Sequence, residues 1–352
     1  MIINCLLYNN NSNFGYREYV RNLLFLFSSR EELFLFRFSQ KNYILEFTKS
    51  NNISVNCIFL KDYLWRIKLL FLPAIIKSED NIFLHTFNYG PIFFLKRSRH
   101  FLVIHDLQFL HKSFENSFFF KLQRFFFLHH HHRLYNDIIF ISNFSKYDYV
   151  LNFNLRRNLS VIPNYLPKEK YNLVSKFGNF EDFDFILCVS SSKWYKRLDY
   201  LITEFEKLNI TLEQSSFRKF KLVLISNIEI NSNDVIVLEN ISQAELNYLY
   251  TAASCVVIPS LFEGFCFPYV ESILFNKKLF VHDMPISREI TNVYPNVEFF
   301  NYETGELAHL IYSNFINGTL CPIKKFDLHY IKCFIDSNFQ LKLYDQIKIK
   351  YI

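Results

Sequence analysis

Glu263 and Glu271 are the two residues whose setting in this sequence best suits chemistry. An apolar β run, Cys255–Pro259, feeds a loop holding Glu263 and Gly264. Pro268 then suits the first turn of a helix, where its missing N–H costs nothing. Loop amides and a helix N-terminus together offer donors to an anion such as a phosphate. Glu271 falls about one turn into that helix, where a carboxylate can accept two hydrogen bonds from neighbouring hydroxyls, as a ribose presents. Glu263 can accept hydrogen bonds from a sugar held over the strand ends. A plainer reading stands beside this one: Glu263 is a loop carboxylate, and Glu271 favours the helix dipole near its start.

Other residues invite chemistry and have plain alternatives. His105 follows an apolar run and precedes Asp106; a histidine so placed either lines a ligand or is a satisfied structural residue. His129–His132 suggests a metal, but its phenylalanine-rich surroundings and scarcity of carboxylates favour a helix end or loop. Phe118–Leu128 carries Lys121 and Arg124 among aromatics and reads as core, or as a basic aromatic face for weak peripheral membrane contact.

Positioning these residues falls to short apolar runs alternating with helical segments, a pattern of parallel sheets with crossover helices. Strands are expected at Ile2–Tyr8, Ser54–Leu60, Asn81–His85, Phe101–His105, Asp137–Ser142 and Ser160–Ile162, with a first helix over Tyr16–Ser28. Ser145 and Asp148 have capping-box spacing for a short helix. A second set of strands is expected at Phe185–Ser190, Lys221–Ile225, Val235–Leu238, Cys255–Pro259 and Lys278–Val281, with helices over Arg197–Leu208 and Ser242–Ala252. The expected organisation is an N-terminal domain over 1–165, a linker over 166–184, a C-terminal domain over 185–330, and a C-terminal helix over 331–352 packing back toward the N-terminal domain. Two doubly wound domains leave a cleft, and ligands in such sheets sit at the carboxyl ends of the strands.

Composition agrees with two folded domains at about 150 residues each. Half of the 352 residues are hydrophobic, with 43 Phe and 22 Tyr, too many for a disordered chain. The net charge of +6 fits an anionic ligand or an anionic membrane, and without a long Lys/Arg tract it does not argue for nucleic acid. The seven cysteines have neither zinc-knuckle nor redox spacing and read as reduced. No secretory signal is read at Met1–Leu7, and the longest apolar run, Leu69–Ile76, is far short of a bilayer span, so a cytoplasmic location is expected.

The stretch Ser260 to Glu271 resembles the Glu-x7-Glu signature of the family-4 glycosyltransferases, with Cys266 and Phe267 replacing a glycine and an aliphatic residue. Further strings are similar in the same order: Val103–Leu107, Ile141–Asp148, Val161–Asn164, Phe185–Leu201, Ile241–Ser254 and Asp283–Glu289. The resemblance implies the GT-B fold, two Rossmann-like doubly wound α/β domains facing a central cleft. It implies that Glu271 holds the donor ribose and Glu263 contacts the transferring sugar. The amides of Gly264, Phe265 and Cys266 would face the sugar and phosphates, and Lys196 would neutralise the diphosphate. His105 would line the donor sugar from the first domain. The family's usual arginine before the lysine is absent, so Arg197 or Lys193 is left to supply a second charge. The first-domain glycine loop is reduced to Gly15.

Such enzymes retain anomeric configuration and need no metal or other cofactor. Asp182-Phe-Asp184 has the metal-binding spacing of the other large glycosyltransferase fold, but it lies in the expected linker just before a strand and is set aside. The implied function is hexose transfer from a nucleotide-sugar donor to a glycan or lipid-linked acceptor in surface-polysaccharide assembly. GDP-mannose is the first donor to consider, because His105–His111 resembles the mannosyltransferase branch. The alternatives are a non-catalytic nucleotide-sugar-binding member and a nucleotide-sugar epimerase of the same fold.

Overall fold

Short apolar runs build two separate sheets, each entirely parallel. The computed structural model describes residues 1–9, 14–72, 76, 82–88, 90–91, 98–111, 118, 122, 134–135, 137–153, 158–171, 176–292 and 294–320. The chain divides into two compact units, the first over Met1–Leu166 and the second beginning at Pro167.

The first unit holds strands β1 (Ile2–Asn4), β2 (Leu33–Arg37), β3 (Asn56–Leu60), β4 (Ile82–His85), β5 (Arg99–Ile104), β6 (Asp137–Phe140) and β7 (Asn158–Val161). Its described helices are α1 (Phe14–Leu26), α2 (Lys41–Ser50), α3 (Trp65–Leu70) and α4 (Asn143–Asn152). The strand order is β3-β2-β1-β4-β5-β6-β7, so the direction of winding reverses between β1 and β4. Strands buried on both faces read as apolar runs rather than alternations, as β5 and β6 do.

In the second unit lie α5 (Lys168–Tyr171), β8 (Phe185–Val189), α6 (Leu198–Gln214), β9 (Lys221–Ile225), β10 (Val235–Leu238), α7 (Gln243–Ala252), β11 (Cys255–Ile258), α8 (Phe267–Leu274), β12 (Lys278–His282), α9 (Pro285–Thr291), β13 (Val297–Phe300) and α10 (Leu307–Ile316). Its order, β10-β9-β8-β11-β12-β13, reverses between β8 and β11. Helix α6 shows why the crossovers pack. Leu198, Leu201, Phe205, Leu208 and Leu212 recur at helical spacing and are all buried in the core. Each such burial is worth roughly 1.5–3 kcal/mol before conformational entropy is charged against it.

Several expected elements differ in detail. The first strand ends at Asn4, because Cys5 opens a turn closed by Tyr8 N–H on Cys5 O at 2.9 Å. The strand before His105 stops at Ile104, which puts the histidine just past the sheet edge. Helix α4 forms, but its cap is Ser142, whose Oγ accepts from Ser145 N at 3.1 Å. Asp148 is not part of that cap; it accepts from His111 Nε2 at 2.8 Å. Strands β2 and β13 and helices α2, α3, α5, α9 and α10 are additions to the elements expected from sequence, α5 falling in the expected linker. The expected helix over 331–352 and the His129–His132 run lie outside the described residues, as do residues 119–121 and 123–128 of the aromatic stretch.

Candidate functional site

The second unit's reversal point brings Lys196 and Glu263 together. Lys196 follows β8 and Glu263 follows β11, two strands that pair side by side although far apart in sequence. Lys196 Nζ donates to Glu263 Oε1 at 2.5 Å, with the lysine side chain 16% exposed and the glutamate 10%. Burial alone would depress the ammonium's pKa, but the adjacent carboxylate more than offsets it, and the net shift is upward. Leu261 N–H donates to Tyr195 O at 2.7 Å and ties the two loops to each other. The Tyr195 ring lies 5.4 Å from Lys196 Nζ.

The loop leaving Glu263 then turns into α8. Pro268 stands in the first turn of that helix. Phe265 is 2% exposed, so its ring belongs to the core and packs edge-on against Phe267 at 5.5 Å. What this stretch can turn outward is backbone, with Gly264 partly exposed. Cys266 caps the helix at φ 65 and ψ 90, a conformation that L residues adopt only at a cost. Burial, then the Glu263 carboxylate, push its thiol pKa well above the usual value.

Glu271, on α8, is 1% exposed. Its Oε1 accepts from Tyr171 Oη and its Oε2 from Tyr250 Oη, each at 3.0 Å. Neither tyrosine is among the residues singled out from sequence. Tyr250 sits inside the Ile241–Ser254 string, which offers a signal, whereas Tyr171 lies in the expected linker and offers none.

Arg197 is placed differently from Lys196. It holds φ 50 and ψ 42 immediately before α6, and its Nε donates to Asp199 Oδ1 at 3.2 Å. Its guanidinium lies 4.8 Å from the Tyr302 ring centre. With Lys193, Trp194 and Ile228 it lines an open groove. Of the two residues expected to supply a second charge, Arg197 thus meets Asp199 and Tyr302, and Lys193 shares its groove.

His105, in the first unit, is 9% exposed. Its Nε2 donates to Thr86 O at 2.8 Å, and its backbone N–H donates to Asn88 Oδ1 at 2.8 Å. Tyr16 and Tyr19 meet the ring edge-on at 5.6 and 4.7 Å. Burial lowers the imidazole pKa, so the ring is neutral at pH 7, with Nδ1 as its acceptor. Gly15 lies inside helix α1 rather than in a glycine loop, and a Cβ added there would meet nothing within 4 Å. Its own geometry gives no reason for glycine. Residues 10–13 of that stretch are outside the described residues.

Asp182 and Asp184 enter β8 at the opposite edge of the sheet from Lys196. Asp184 Oδ1 accepts from Ser254 Oγ at 3.3 Å, and Asp182 O accepts from Arg218. Among the described residues, no three His, Cys, Asp or Glu side chains cluster as metal ligands.

Residues 169–296 match the family model "Glycosyl transferases group 1". No curated protein matches the chain. Among solved structures, HepE of Anabaena in complex with UDP and glucose is similar at a TM-score of 0.74, with 12% identity and 99% of each chain covered. Sucrose-phosphate synthase of Thermosynechococcus elongatus is similar at a TM-score of 0.68, with 11% identity, 99% of this chain and 98% of that one. The E. coli structure described as trehalose-6-phosphate bound with UDP-2-fluoro glucose is similar at a TM-score of 0.64, with 10% identity, 100% of this chain and 99% of that one. At such identities the likeness speaks for the fold alone. Residues 169–296 are thus similar to the glycosyl transferases group 1 family, and the chain has a GT-B fold of two parallel α/β sheets.

Proposed function

We propose that this chain is a retaining, metal-independent glycosyltransferase that moves a hexose from a nucleotide-sugar donor to a glycan or lipid-linked acceptor. The observation that carries the reading is the Lys196–Glu263 ion pair at the carboxyl edge of β8 and β11, beside the start of α8. A donor diphosphate competes with Glu263 for the Lys196 ammonium. Its arrival frees the Glu263 carboxylate to accept from the sugar's hydroxyls. Lys196 and the amides of Gly264, Phe265 and Cys266 then stabilise the charge that grows on the leaving diphosphate. Glu271 takes the ribose. His105 serves the donor sugar through Nδ1.

GDP-mannose remains the first donor to test. UDP-glucose stands beside it, because the HepE structure is described with UDP-glucose. Peripheral contact with an anionic membrane fits a described patch of the first unit. Tyr63, Leu64, Ile67 and Phe71 are all exposed around α3, with Lys61, Arg66 and Lys68 among them. Among the described residues, no helix is long and apolar enough to cross a membrane.

The test is calorimetric titration of UDP, GDP and their sugars, with and without EDTA, followed by transfer assays with the donor that binds. Selective binding that survives EDTA supports the reading. Loss of activity with EDTA removes the metal-independent mechanism. Failure of anionic vesicles to float the protein removes the membrane contact.

A further inference from the structure

We infer that Asn88 is a positioning residue for sugar transfer, holding the main chain of His105 so that the ring presents Nδ1. The inference rests on the reading of His105 as the group that serves the donor sugar. His105 stands one residue past β5, whose pairing with β4 ends at Leu102 and with β6 at Ile104. A residue there is no longer held by the ladder, and its ring goes where its backbone goes.

Side chains take over from the ladder. Asn88 Oδ1 accepts from His105 N–H at 2.8 Å, and Asn88 Nδ2 donates to Asp106 O at 3.0 Å. One planar amide thus brackets the two residues from N–H to C=O, much as the peptide of a neighbouring strand would. Ser145 Oγ, in the first turn of α4, donates to His105 O at 3.0 Å. The ring is aimed by a further contact, Nε2 on Thr86 O at 2.8 Å. A carbonyl only accepts, so the proton sits on Nε2 and Nδ1 keeps its lone pair. Thr86 and Asn88 lie two residues apart on the segment leaving β4, so one short stretch sets both the ring and the main chain of His105. Thr86 is itself pinned to β1, where Asn4 O accepts from its Oγ1 at 2.8 Å. Asn88 is 3% exposed, so water does not stand in for its amide when the side chain is removed.

The second unit holds the same device away from Lys196 and Glu263. Asn209 on α6, 6% exposed, accepts from Phe220 N–H at 3.0 Å and donates to Phe220 O at 3.0 Å. Phe220 enters β9 at its amino end, whereas Lys196 and Glu263 follow the carboxyl ends of β8 and β11. Asn209→Ala therefore removes a buried amide bracket of the same kind and leaves His105 alone.

Asn88→Ala and Asn209→Ala are compared for stability in urea and for kcat/KM with whichever of UDP-glucose and GDP-mannose the wild type turns over. Asn88→Ala should lower kcat/KM at least about tenfold, while Asn209→Ala loses stability and stays within about threefold of the wild-type kcat/KM. An equal loss of kcat/KM in Asn209→Ala would make the effect one of stability and overturn the inference. A double-mutant cycle separates positioning from general damage. In a His105→Ala background Asn88→Ala should cost less than about threefold more, because no ring is left to aim. A further tenfold loss in that background would overturn the inference while leaving His105 in its role. If His105→Ala alone leaves kcat/KM unchanged, the reading of His105 falls and the inference with it. The ring is also read without turnover. Nitrogen NMR of the His105 imidazole should show the proton on Nε2 in the wild type and a mixture of tautomers in Asn88→Ala, and an identical spectrum in the variant counts against positioning.

Discussion

Replacing Cys266 with glycine should cost this protein less than replacing it with alanine, against the usual order. The reason is the backbone of that residue, held at φ 65 and ψ 90 where α8 begins. A Cβ in the left-handed region costs roughly 1–2 kcal/mol. Glycine removes that cost but loses more chain entropy on folding, about 0.5–1 kcal/mol relative to alanine. Both variants lose the same sulfur and its packing, so their difference isolates the Cβ. The balance favours glycine by roughly 0.5–1 kcal/mol. Equilibrium urea unfolding, with m unchanged between the variants, measures the difference directly. An alanine variant as stable as the glycine variant, or more so, would show that the loop relaxes around the Cβ and stores no strain.

Three further outcomes follow from the site and the core. Glu263→Gln should bind the nucleotide diphosphate no more weakly than the wild type, because Lys196 loses a competing carboxylate, while turnover falls at least about tenfold; equal losses in both would make Glu263 a binding residue only. His100, buried against His85 with ring nitrogens 2.9 Å apart, has its pKa lowered by burial to about 4. The unfolded chain takes up a proton below pH 6.5 that the folded one refuses until about pH 4. Stability is therefore full above that window and falls through it by up to about 3 kcal/mol, and His100→Phe should flatten the acid limb of urea-derived stability against pH. Lys277 donates to Thr251 O and Ala253 O at 2.7 and 2.8 Å, and burial lowers its pKa to about 8. Between about pH 8 and 10.5 the unfolded chain holds a proton the folded one has shed, so this residue's contribution should rise with pH and vanish in Lys277→Met.

The sheets were largely legible, because strands buried on both faces are written as apolar runs. Where reading failed, the phenylalanine content explains it. Strand β2 is Leu-Phe-Leu-Phe-Arg and is followed at once by Phe38, so the single Arg37 does not mark its end clearly. Strand β13 spans only Val297–Phe300 and holds Glu298, which looks like loop until its carboxylate is seen paired with Lys278 at 2.7 Å. Glu263 and Glu271 stand out through local spacing alone. Their partners do not, because the meeting of Lys196 with Glu263 depends on β8 lying next to β11, and strand order is a property of the fold. Gly15, beside other turn-forming residues, reads as loop in the sequence, and the structure places it in the first turn of α1.

The placement of β8 beside β11 also sets a timetable for synthesis. Lys196 and Glu263 are 67 residues apart. At about 5–20 residues per second, a ribosome needs roughly 3–13 s to deliver the second after the first. Within that interval β9, the neighbour of β8 on one side, is made before β11, its neighbour on the other. The nascent chain therefore carries an open apolar strand edge and an unmatched cation at the same spot, and both are closed by one event. The loop that carries Glu263 can then close only late in the synthesis of its unit, and a chaperone that shields strand edges would find its longest opportunity there.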